Sequence, residues 1–267
     1  MGELIQGETF AMYQARTGIN ATAIKRGRMS PKHMRHALTC KEPPATDSMI
    51  WGKLVHEAVL IGVDNFAVYP GPVRRGKAFD EFSASNEGKD IVLKDQLIAL
   101  HNIRESVMSN TKAREIIENT DHEVTCLWPS EWGSARARFD AISPRFLADL
   151  KTTAKFHPRE FESQAYNLGY HIQMAWYLSG ANDCGYEPAV YVIAIESDAP
   201  YDVVCYLCDE ELIERGMDEA KATLDAYQDA QKAGKFPGVA EDVRVLALPT
   251  WAAEKQTLII GGATVVI

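Results

Sequence analysis

Three charged residues stand close together in the otherwise apolar stretch 136–151. Asp140 ends one run that is typical of a β-strand, and Asp149 and Lys151 belong to the next such run. Because side chains alternate along a strand, Asp149 and Lys151 share one face and Leu150 points to the other. Charged groups at the end of an apolar sheet cost free energy unless they are paired or bind a metal. The stretch therefore predicts either a structural Asp–Lys pair or a cation site.

Further polar residues lie on predicted helices and can share a site with these charges. His56 lies on one helix, and Gln173 and Tyr177 lie four residues apart on another. A lone helical histidine is more often a core residue than a ligand. Two carboxylates suit Mg²⁺ or Mn²⁺, which prefer oxygen ligands, polarise a phosphodiester and lower the pKa of bound water. A nearby ammonium can orient the attacking hydroxide, so the set is compatible with phosphodiester hydrolysis.

The elements that must position these residues follow from hydrophobic periodicity. The sequence predicts, in order, a helix beginning at Ser30-Pro31, a helix capped by Asp47 or Ser48 and ending near Ile61, a long helix over 93–118, strands at 123–128, 135–142 and 146–152, a long helix over 158–178, strands at 189–196 and 201–207, and a helix over 209–233. Residues 1–18 show little pattern, and residues 64–90 look irregular. This order predicts an α/β domain with a mixed central sheet flanked by helices and an N-terminal helical elaboration.

Composition limits the class of protein. The chain has 267 residues, of which 46% are hydrophobic, so it can bury a full core. We expect one domain, with a basic helical extension at 1–45, a core at 46–251 and a tail at 252–267. No apolar run reaches the roughly 20 residues that cross a bilayer, and no signal peptide is visible, so a cytoplasmic location is expected. Five scattered cysteines do not resemble a disulfide framework.

Two basic stretches are candidate contacts to phosphate groups. They contain Lys25, Arg26 and Arg28 in the first, and Arg74, Arg75 and Lys77 in the second. The alternative is a solvated surface, which is the more common role of a run of charges. The net charge of −9 argues against a general basic coat for nucleic acid, but it leaves room for a local basic groove beside a metal.

Taken together, the ordered polar residues resemble a known family. Gly52-x-x-x-His56, Asp140, Asp149-Leu150-Lys151 and Gln173-x-x-x-Tyr177 look like the motifs of the PDDEXK nuclease superfamily, in its RecB-like branch. More narrowly, the chain resembles the nuclease domain of RecE, exodeoxyribonuclease VIII, and its phage-borne relatives. The stretches 74–79 and 248–251 add to the similarity, which runs from about residue 20 to 251.

The resemblance implies a restriction-endonuclease-like core and a role for each matching residue. His56, Asp140, Asp149 and the backbone carbonyl of Leu150 would bind Mg²⁺ or Mn²⁺, and Lys151 would position or activate the attacking water. Gln173 and Tyr177 would shape the site and touch the DNA backbone. His56 and Gln173 enter the site through the resemblance alone.

The resemblance also implies an activity and partners. Family members degrade linear double-stranded DNA from 5′ ends, assemble as rings, and pass the exposed strand to a RecT-like single-strand annealing protein. That implies a Mg²⁺-dependent 5′→3′ exonuclease that needs a free DNA end and forms a homo-oligomer. Its setting would be phage or prophage recombination in the cytoplasm of a bacterial host.

Three alternatives are open at this point. Some RecB-like nucleases hold an iron–sulfur cluster, but Cys40, Cys205 and Cys208 lack a suitable fourth thiolate, so no cluster is expected. The chain could be a DNA-binding protein on an inactive nuclease fold, because fold does not fix function. It could also be a nuclease of another specificity, such as an endonuclease or a single-strand exonuclease.

Overall fold

The structure is a computed structural model, and it describes residues 1–40, 44–248, 257–260 and 263–266. The strands are β1 (Glu3–Ile5), β2 (Ala67–Tyr69), β3 (Ile91–Leu93), β4 (Asp121–Ser130), β5 (Gly133–Ile142), β6 (Phe146–Thr153), β7 (Ala189–Glu196), β8 (Val203–Leu207), β9 (Thr257–Ile260) and β10 (Ala263–Val266). The helices are α1 (Phe10–Ala15), α2 (Ala21–Gly27), α3 (Pro31–Thr39), α4 (Asp47–Leu60), α5 (Lys77–Ser85), α6 (Lys94–Ser109), α7 (Thr111–Glu118), α8 (Pro158–Asn167), α9 (Tyr170–Asp183) and α10 (Glu210–Ala233).

A six-stranded sheet with the order β1-β4-β5-β6-β7-β8 forms the centre of the fold. Its neighbours are antiparallel except for β6 and β7, which run parallel. Strands β2 and β3 form a separate parallel pair, and β9 and β10 form an antiparallel pair. The mixed sheet flanked by helices confirms the predicted fold class.

Helices cover both faces of this sheet. Side chains of β7 divide between two apolar clusters: Val190, Val192 and Ala194 belong to the first, and Ile193 and Ile195 to the second. The first cluster packs β7 against α2, α3, α9 and α10, and the second packs it against α4, α6 and α7. This alternation is that of a strand buried on both faces. The prediction of a central buried strand at 189–196 is therefore confirmed.

Two long predicted helices are each divided in the structure. The helix expected over 93–118 ends at Ser109, and a new one starts at Thr111. Asn110 causes the break, because its side chain accepts hydrogen bonds from the amides of Lys112 and Ala113 and caps α7. The helix expected over 158–178 breaks at Gly169, whose φ of 71° is left-handed and ends one helix before the next begins.

Local capping was predicted well in one place and wrongly in another. Ser30 caps α3 with Pro31 at its first position, as the sequence predicts. Helix α4, in contrast, is capped by Thr46, whose hydroxyl accepts from the amide of Met49, rather than by Asp47 or Ser48. The carboxylate of Asp47 instead lies in the first helical turn, where its negative charge interacts favourably with the helix dipole.

Two segments without a clear sequence pattern are ordered in the structure. Residues 1–18 contain β1, which pairs with β4 at the edge of the main sheet, and α1. The apparently irregular stretch 64–90 contains β2 and α5. Such short elements bury too few residues to produce a periodic signal.

Pro249, Thr250 and Trp251, part of the resemblance, lie outside the described residues. Among the helices of the described chain, none combines the length and apolar character needed to span a membrane.

Candidate active site

The site lies where strands β5 and β6 separate. These neighbours form ladder pairs only between Ala141 and Ala148 and between Ile142 and Leu147. Beyond that point Asp140 lies on β5 and Asp149 on β6. The amide of Leu150 donates to Oδ2 of Asp140 across the gap at 2.7 Å. One hydrogen bond from a backbone amide to a side-chain carboxylate thus links the two strands where their ladder has ended.

One side of this gap holds His56, Glu123 and Asp140, which we call the acidic group. Nδ1 of His56, on α4, lies 3.4 Å from Oδ2 of Asp140. One ligand atom from each of the three residues lies within 4.8 Å of the others. Val124 and Cys126 of β4 belong to the first apolar cluster, whereas the carboxylate of Glu123 lies near His56 of α4, which packs on the other face. The acidic group therefore lies on the α4 side of the sheet.

Ionisation in the acidic group reflects mutual proximity. Burial opposes the charge on Asp140, but the neighbouring His56 holds the pKa of Asp140 below its ordinary value. Burial likewise opposes protonation of His56, and Asp140 overcomes it and raises the His56 pKa. Burial, and then the charge of Asp140, raise the pKa of Glu123. Glu123 also accepts from Nε of Arg138 at 2.7 Å.

The other side of the gap holds Lys25, Asp149, Lys151 and Gln173, which we call the lysine group. Asp149 and Lys151 form a direct ion pair, which confirms that they share a face of β6. Gln173, on α9, donates from Nε2 to Oδ1 of Asp149 at 2.7 Å. Lys25, on α2, donates to Oε1 of Gln173 at 2.9 Å. A lysine ammonium can only donate, so Lys25 fixes the orientation of the Gln173 amide and directs its NH₂ at Asp149.

The charges of the lysine group act on one another and on Asp140 across the gap. Burial opposes the charged form of Lys151, but the carboxylates of Asp149 and Asp140 outweigh it and raise the Lys151 pKa. Burial, followed by repulsion from Lys151, lowers the pKa of Lys25 to about 8. Asp149 is only 2% exposed. The buried carboxylate therefore has an ammonium and an amide as immediate partners.

Aromatic residues of α9 close the lysine side. Tyr177 packs edge-on against Phe139 with ring centroids 5.3 Å apart, and burial raises its pKa well above the usual value. The ring of Tyr170 lies 5.0 Å from Nζ of Lys151. Tyr177 thus shapes the wall of the site next to Gln173, while its contact with DNA stays a prediction. Tyr170 was not anticipated from the sequence.

Glu123 is the other residue that sequence reasoning missed. The predicted strands at 123–128 and 135–142 do not fix the hairpin register, whereas the structure closes this hairpin with Ser130 opposite Gly133, which sets Glu123 opposite Asp140. The structure has this register, with His122 opposite Ala141 and Val124 opposite Phe139. Glu123 has a φ of 55°, an uncommon conformation for a residue that is not glycine.

The predicted phosphate contacts on the N-terminal helices have different surroundings. Lys25 lies inside the site, bonded to Gln173. Arg26 is exposed. Arg28 pairs with Glu219 of α10 at 3.1 Å. Their roles toward DNA stay predictions, but Lys25 lies beside Gln173 and the Asp149–Lys151 pair rather than on an outer surface.

The second basic stretch lies next to the helix that carries His56. Arg74 donates to the carbonyl of Ile91 in β3 at 3.0 Å. The neighbouring Asp90 pairs with Lys53 of α4 at 2.6 Å. Arg75 is exposed, and Lys77, at the start of α5, lies 3.7 Å from Glu81. This loop therefore borders the α4 side of the sheet.

The acidic group fits a divalent cation. Two carboxylates and an imidazole are ligand types that such ions accept, and their ligand atoms already converge. The group contains no cysteine, and all five cysteines of the chain are free thiols. Asp149 is outside this convergent set, so its part in metal binding stays a prediction. The same holds for the carbonyl of Leu150.

Comparison with solved structures supports the fold. A candidate exonuclease from Eubacterium rectale superposes with a TM-score of 0.62 at 12% identity, covering 92% of this chain and 96% of that one. A phage-related exonuclease from Haemophilus somnus 129PT gives a TM-score of 0.36 at 12% identity, covering 84% and 99%, which is too low to bear on the fold. No curated protein matches the sequence.

Comparison with protein families covers most of the chain. Residues 21–249 match the family described as PDDEXK-like domain of unknown function, DUF3799. The matched range includes every residue of the acidic and lysine groups. Nucleases with PDDEXK folds use divalent metals, in agreement with the acidic group found here. With its mixed sheet, its split between β5 and β6 and its two groups of charged residues, the chain belongs to this PDDEXK-like family and has a nuclease-like fold.

Proposed function

We propose that this protein is a divalent-cation-dependent exodeoxyribonuclease that degrades linear double-stranded DNA from 5′ to 3′. The observation that carries the proposal is the meeting of both charged groups at the split between β5 and β6. Oδ2 of Asp140 lies 3.4 Å from His56 and accepts the amide of Leu150, the residue between Asp149 and Lys151. Ligands for a cation and a lysine for the reacting phosphate are thus neighbours.

The residues divide the chemistry between them. A bound Mg²⁺ or Mn²⁺ supplies charge neutralisation at the phosphate and a lowered pKa for water. His56 and Asp140 would hold that cation. Lys151 is charged at neutral pH and can stabilise the negative charge that develops on the phosphate. Gln173 fixes the Asp149 carboxylate, which in turn fixes the Lys151 ammonium.

The finer parts of the proposal have support from the motif resemblance. The RecE-like motif set suggests a free duplex end as substrate, a homo-oligomeric ring, and transfer of the exposed strand to a single-strand annealing protein. The setting would be phage or prophage recombination in a bacterial cytoplasm. The candidate phosphate contacts for the duplex are the exposed Arg26 and Arg75 and their neighbours in the two basic stretches.

The test is degradation of linear duplex DNA labelled at either the 5′ or the 3′ end, with Mg²⁺, with Mn²⁺ or with EDTA. We expect early release of the 5′ label, only when a cation is present, and no nicking of a covalently closed circle. Early release of the 3′ label would overturn the direction. Cleavage of the closed circle would indicate an endonuclease, and loss of neither label would indicate an inactive fold.

A further inference from the structure

Gly52 lies in the interior of α4, one helical turn before His56 and on the same face of the helix. Glycine is less favourable than alanine inside a helix, because it loses more conformational freedom on folding. A glycine at such a position calls for a physical reason. The usual reason is that another backbone or a ligand approaches the helix too closely for a side chain.

The packing of the protein does not supply that reason at Gly52. Among the described residues, and leaving aside its chain neighbours and the backbone of its own helix, a Cβ atom at this position would meet only Oγ1 of Thr152 within 4 Å. That separation is 3.6 Å, an ordinary van der Waals distance. The three other glycines inside described helices differ, because a Cβ atom on each would overlap with a neighbouring element. The atoms in the way belong to Thr223 for Gly27, Trp128 for Gly180 and His171 for Gly216.

The open side of Gly52 faces the split between β5 and β6. A Cβ atom at Gly52 would point toward Thr152, the residue that follows Lys151 in β6. Gly52 and Thr152 are both partly exposed, so solvent reaches the surface between α4 and β6 at this point. The unfilled space above Gly52 therefore borders the strand that carries Lys151 and the helix that carries His56.

We propose that the backbone of α4 at Gly52 is a contact surface for the sugar–phosphate backbone of the DNA strand that is cleaved. The missing side chain leaves the room that this strand occupies. The inference rests on the proposed function, because it gives the substrate of that function a position on the protein.

The spacing along α4 suits a strand that also reaches the acidic group. Gly52 and His56 are four residues apart, which is about 6 Å along a helix axis. Neighbouring nucleotides of one strand are about 3.4 Å apart along the axis of a duplex. A strand with its reacting phosphate at the acidic group therefore has the next nucleotide, or the one after it, beside Gly52.

The contact is one of shape rather than of charge or hydrogen bonding. Inside a helix the amide and the carbonyl of Gly52 bond to other residues of α4. Non-bonded carbon atoms pack at about 3.5–4.0 Å, so a sugar atom that packs on the α-carbon of Gly52 overlaps with a methyl group added there. Positive charge for the phosphates comes from other residues, such as Lys151 and the basic loop with Arg74 and Arg75.

The decisive variant is Gly52→Ala in the whole chain, which adds one methyl group and changes no charge. Because alanine favours a helix and the position has room, the thermal unfolding midpoint should rise by about 2 °C. The affinity for duplex DNA in Ca²⁺ and kcat/KM for cleavage should each fall about 10-fold or more, as expected for an overpacked contact. A variant that binds DNA as tightly as the unmodified protein overturns the proposal. A less stable variant also overturns it, since the glycine would then serve packing within the protein.

Two measurements test whether the loss arises inside the protein. Mn²⁺ binding, followed by the loss of the free-ion electron paramagnetic resonance signal, should be the same in Gly52→Ala and in the unmodified protein. An equal loss of Mn²⁺ affinity and DNA affinity would assign the effect to the cation site. Gly52→Ala should also weaken DNA binding by the same factor when it is added to Thr152→Ala, which lacks the neighbouring hydroxyl. If the factor disappears there, contact with Thr152 causes the loss and the proposal fails.

A third variant tests whether added stability alone weakens DNA binding. Asn102 is exposed in the interior of α6, so Asn102→Ala should stabilise its helix in a similar way. We expect it to bind and cleave DNA as the unmodified protein does. A loss of affinity as large as that of Gly52→Ala would remove the steric explanation.

The binding assay separates this inference from the proposed function. If the unmodified protein binds duplex DNA without cleaving it and Gly52→Ala binds at least about 10-fold more weakly, the role of Gly52 stands and the proposed function falls. If both proteins bind and cleave DNA equally, the function stands and the role of Gly52 falls. If the unmodified protein neither binds nor cleaves DNA, both fall.

Discussion

The two sides of the split between β5 and β6 neutralise their carboxylates in different ways. On the lysine side, the buried Asp149 carboxylate has an ammonium from Lys151 and an amide from Gln173 as partners, yet burial still raises its pKa. On the acidic side, Glu123 and Asp140 face each other and have as partners His56 and Arg138. The two sides therefore differ in their partners, which are an ammonium and an amide on the lysine side and an imidazole and a guanidinium on the acidic side.

The ionisation of His56 is consistent with this difference. Asp140 raises the pKa of His56, so in the absence of a cation a proton on the imidazole offsets part of the carboxylate charge. A metal ion needs the imidazole in its neutral form, and its binding releases that proton. A proton and a cation therefore compete for the acidic group, whereas in the lysine group the positive charge is covalently part of the protein.

The largest effect should come from Asp140, the residue that contacts both sides. Asp140→Asn keeps an oxygen to accept the Leu150 amide but removes the charge that holds a cation, so we expect cleavage to fall by about 10³-fold or more. The His56 pKa should also fall, because Asp140 raises it. Steady-state cleavage rates and a histidine NMR titration measure the two effects. A variant that cleaves normally would remove Asp140 from the site.

Lys151→Met tests how far the Lys151 ammonium stabilises the buried Asp149 carboxylate. The change leaves the buried Asp149 carboxylate without its ammonium, which should destabilise the fold by about 3–5 kcal/mol. Cleavage should fall about 10²–10³-fold as phosphate stabilisation is lost. Denaturant unfolding in EDTA should show that adding Asp149→Asn recovers most of the stability, since the unpaired charge is then gone.

The same unfolding experiment, repeated with Mn²⁺, also tests whether a cation binds on the lysine side. If Mn²⁺ restores the stability of Lys151→Met far more than it stabilises the unmodified protein, the lysine side also takes a cation. The two halves of the site would then differ in degree rather than in kind.

The two sides were also unequally predictable from sequence. Asp149 and Lys151 could be placed on one face because strand alternation is a local rule, and the ion pair confirms it. The acidic group depends on contacts between residues that are far apart in the chain, so local patterns could not bring His56 to Asp140. That meeting came from the motif resemblance, which carries information on tertiary structure.

Glu123 and Lys25 show what was missed. Glu123 was missed because the predicted strands at 123–128 and 135–142 do not fix the hairpin register, and its approach to His56 depends on α4 packing across the sheet. Lys25 was read as part of a basic surface because charge runs usually are solvated, yet α2 packs against α9 and brings it to Gln173. The fold class itself was predictable, since strand and helix order is a periodic signal.

Lys25→Met is expected to have a smaller effect, because Lys25 acts through Gln173. Without the ammonium the Gln173 amide is free to flip, so Asp149 is held less firmly and cleavage should fall about 10-fold. The folded-state pKa of about 8 lies below the ordinary 10.5, so the unfolded chain binds more protons between these values. The contribution of Lys25 to the free energy of unfolding therefore rises with pH above 8, by roughly 1.4 kcal/mol per pH unit.

The direction of this pH dependence can be measured as a difference in the free energy of unfolding between two proteins. The free energy of unfolding of the unmodified protein minus that of Lys25→Met should be constant below pH 8 and should increase between pH 8 and 9.5. Groups common to both proteins cancel in the subtraction. A flat difference over the whole range would mean that Lys25 is not buried beside Lys151 as described.

The smallest effect concerns the surfaces beside each side of the split. Arg74 and Arg75 border the α4 side, through β3 and Lys53, and Arg26 is exposed on α2 of the lysine side. If duplex DNA crosses the split, phosphates should contact both surfaces. Each lost contact should then lower the salt dependence of log Kd by roughly one unit of slope. Salt titrations of DNA binding in Ca²⁺ would compare three variants: Arg74→Gln combined with Arg75→Gln on the α4 side, Arg26→Gln on the lysine side, and Lys232→Gln as an exposed control on α10. A smaller slope for the first two variants, with the slope of Lys232→Gln unchanged, places DNA across the split. A change confined to one side would mean that the duplex approaches from that side only, and no change in either would leave both basic stretches as solvated surface.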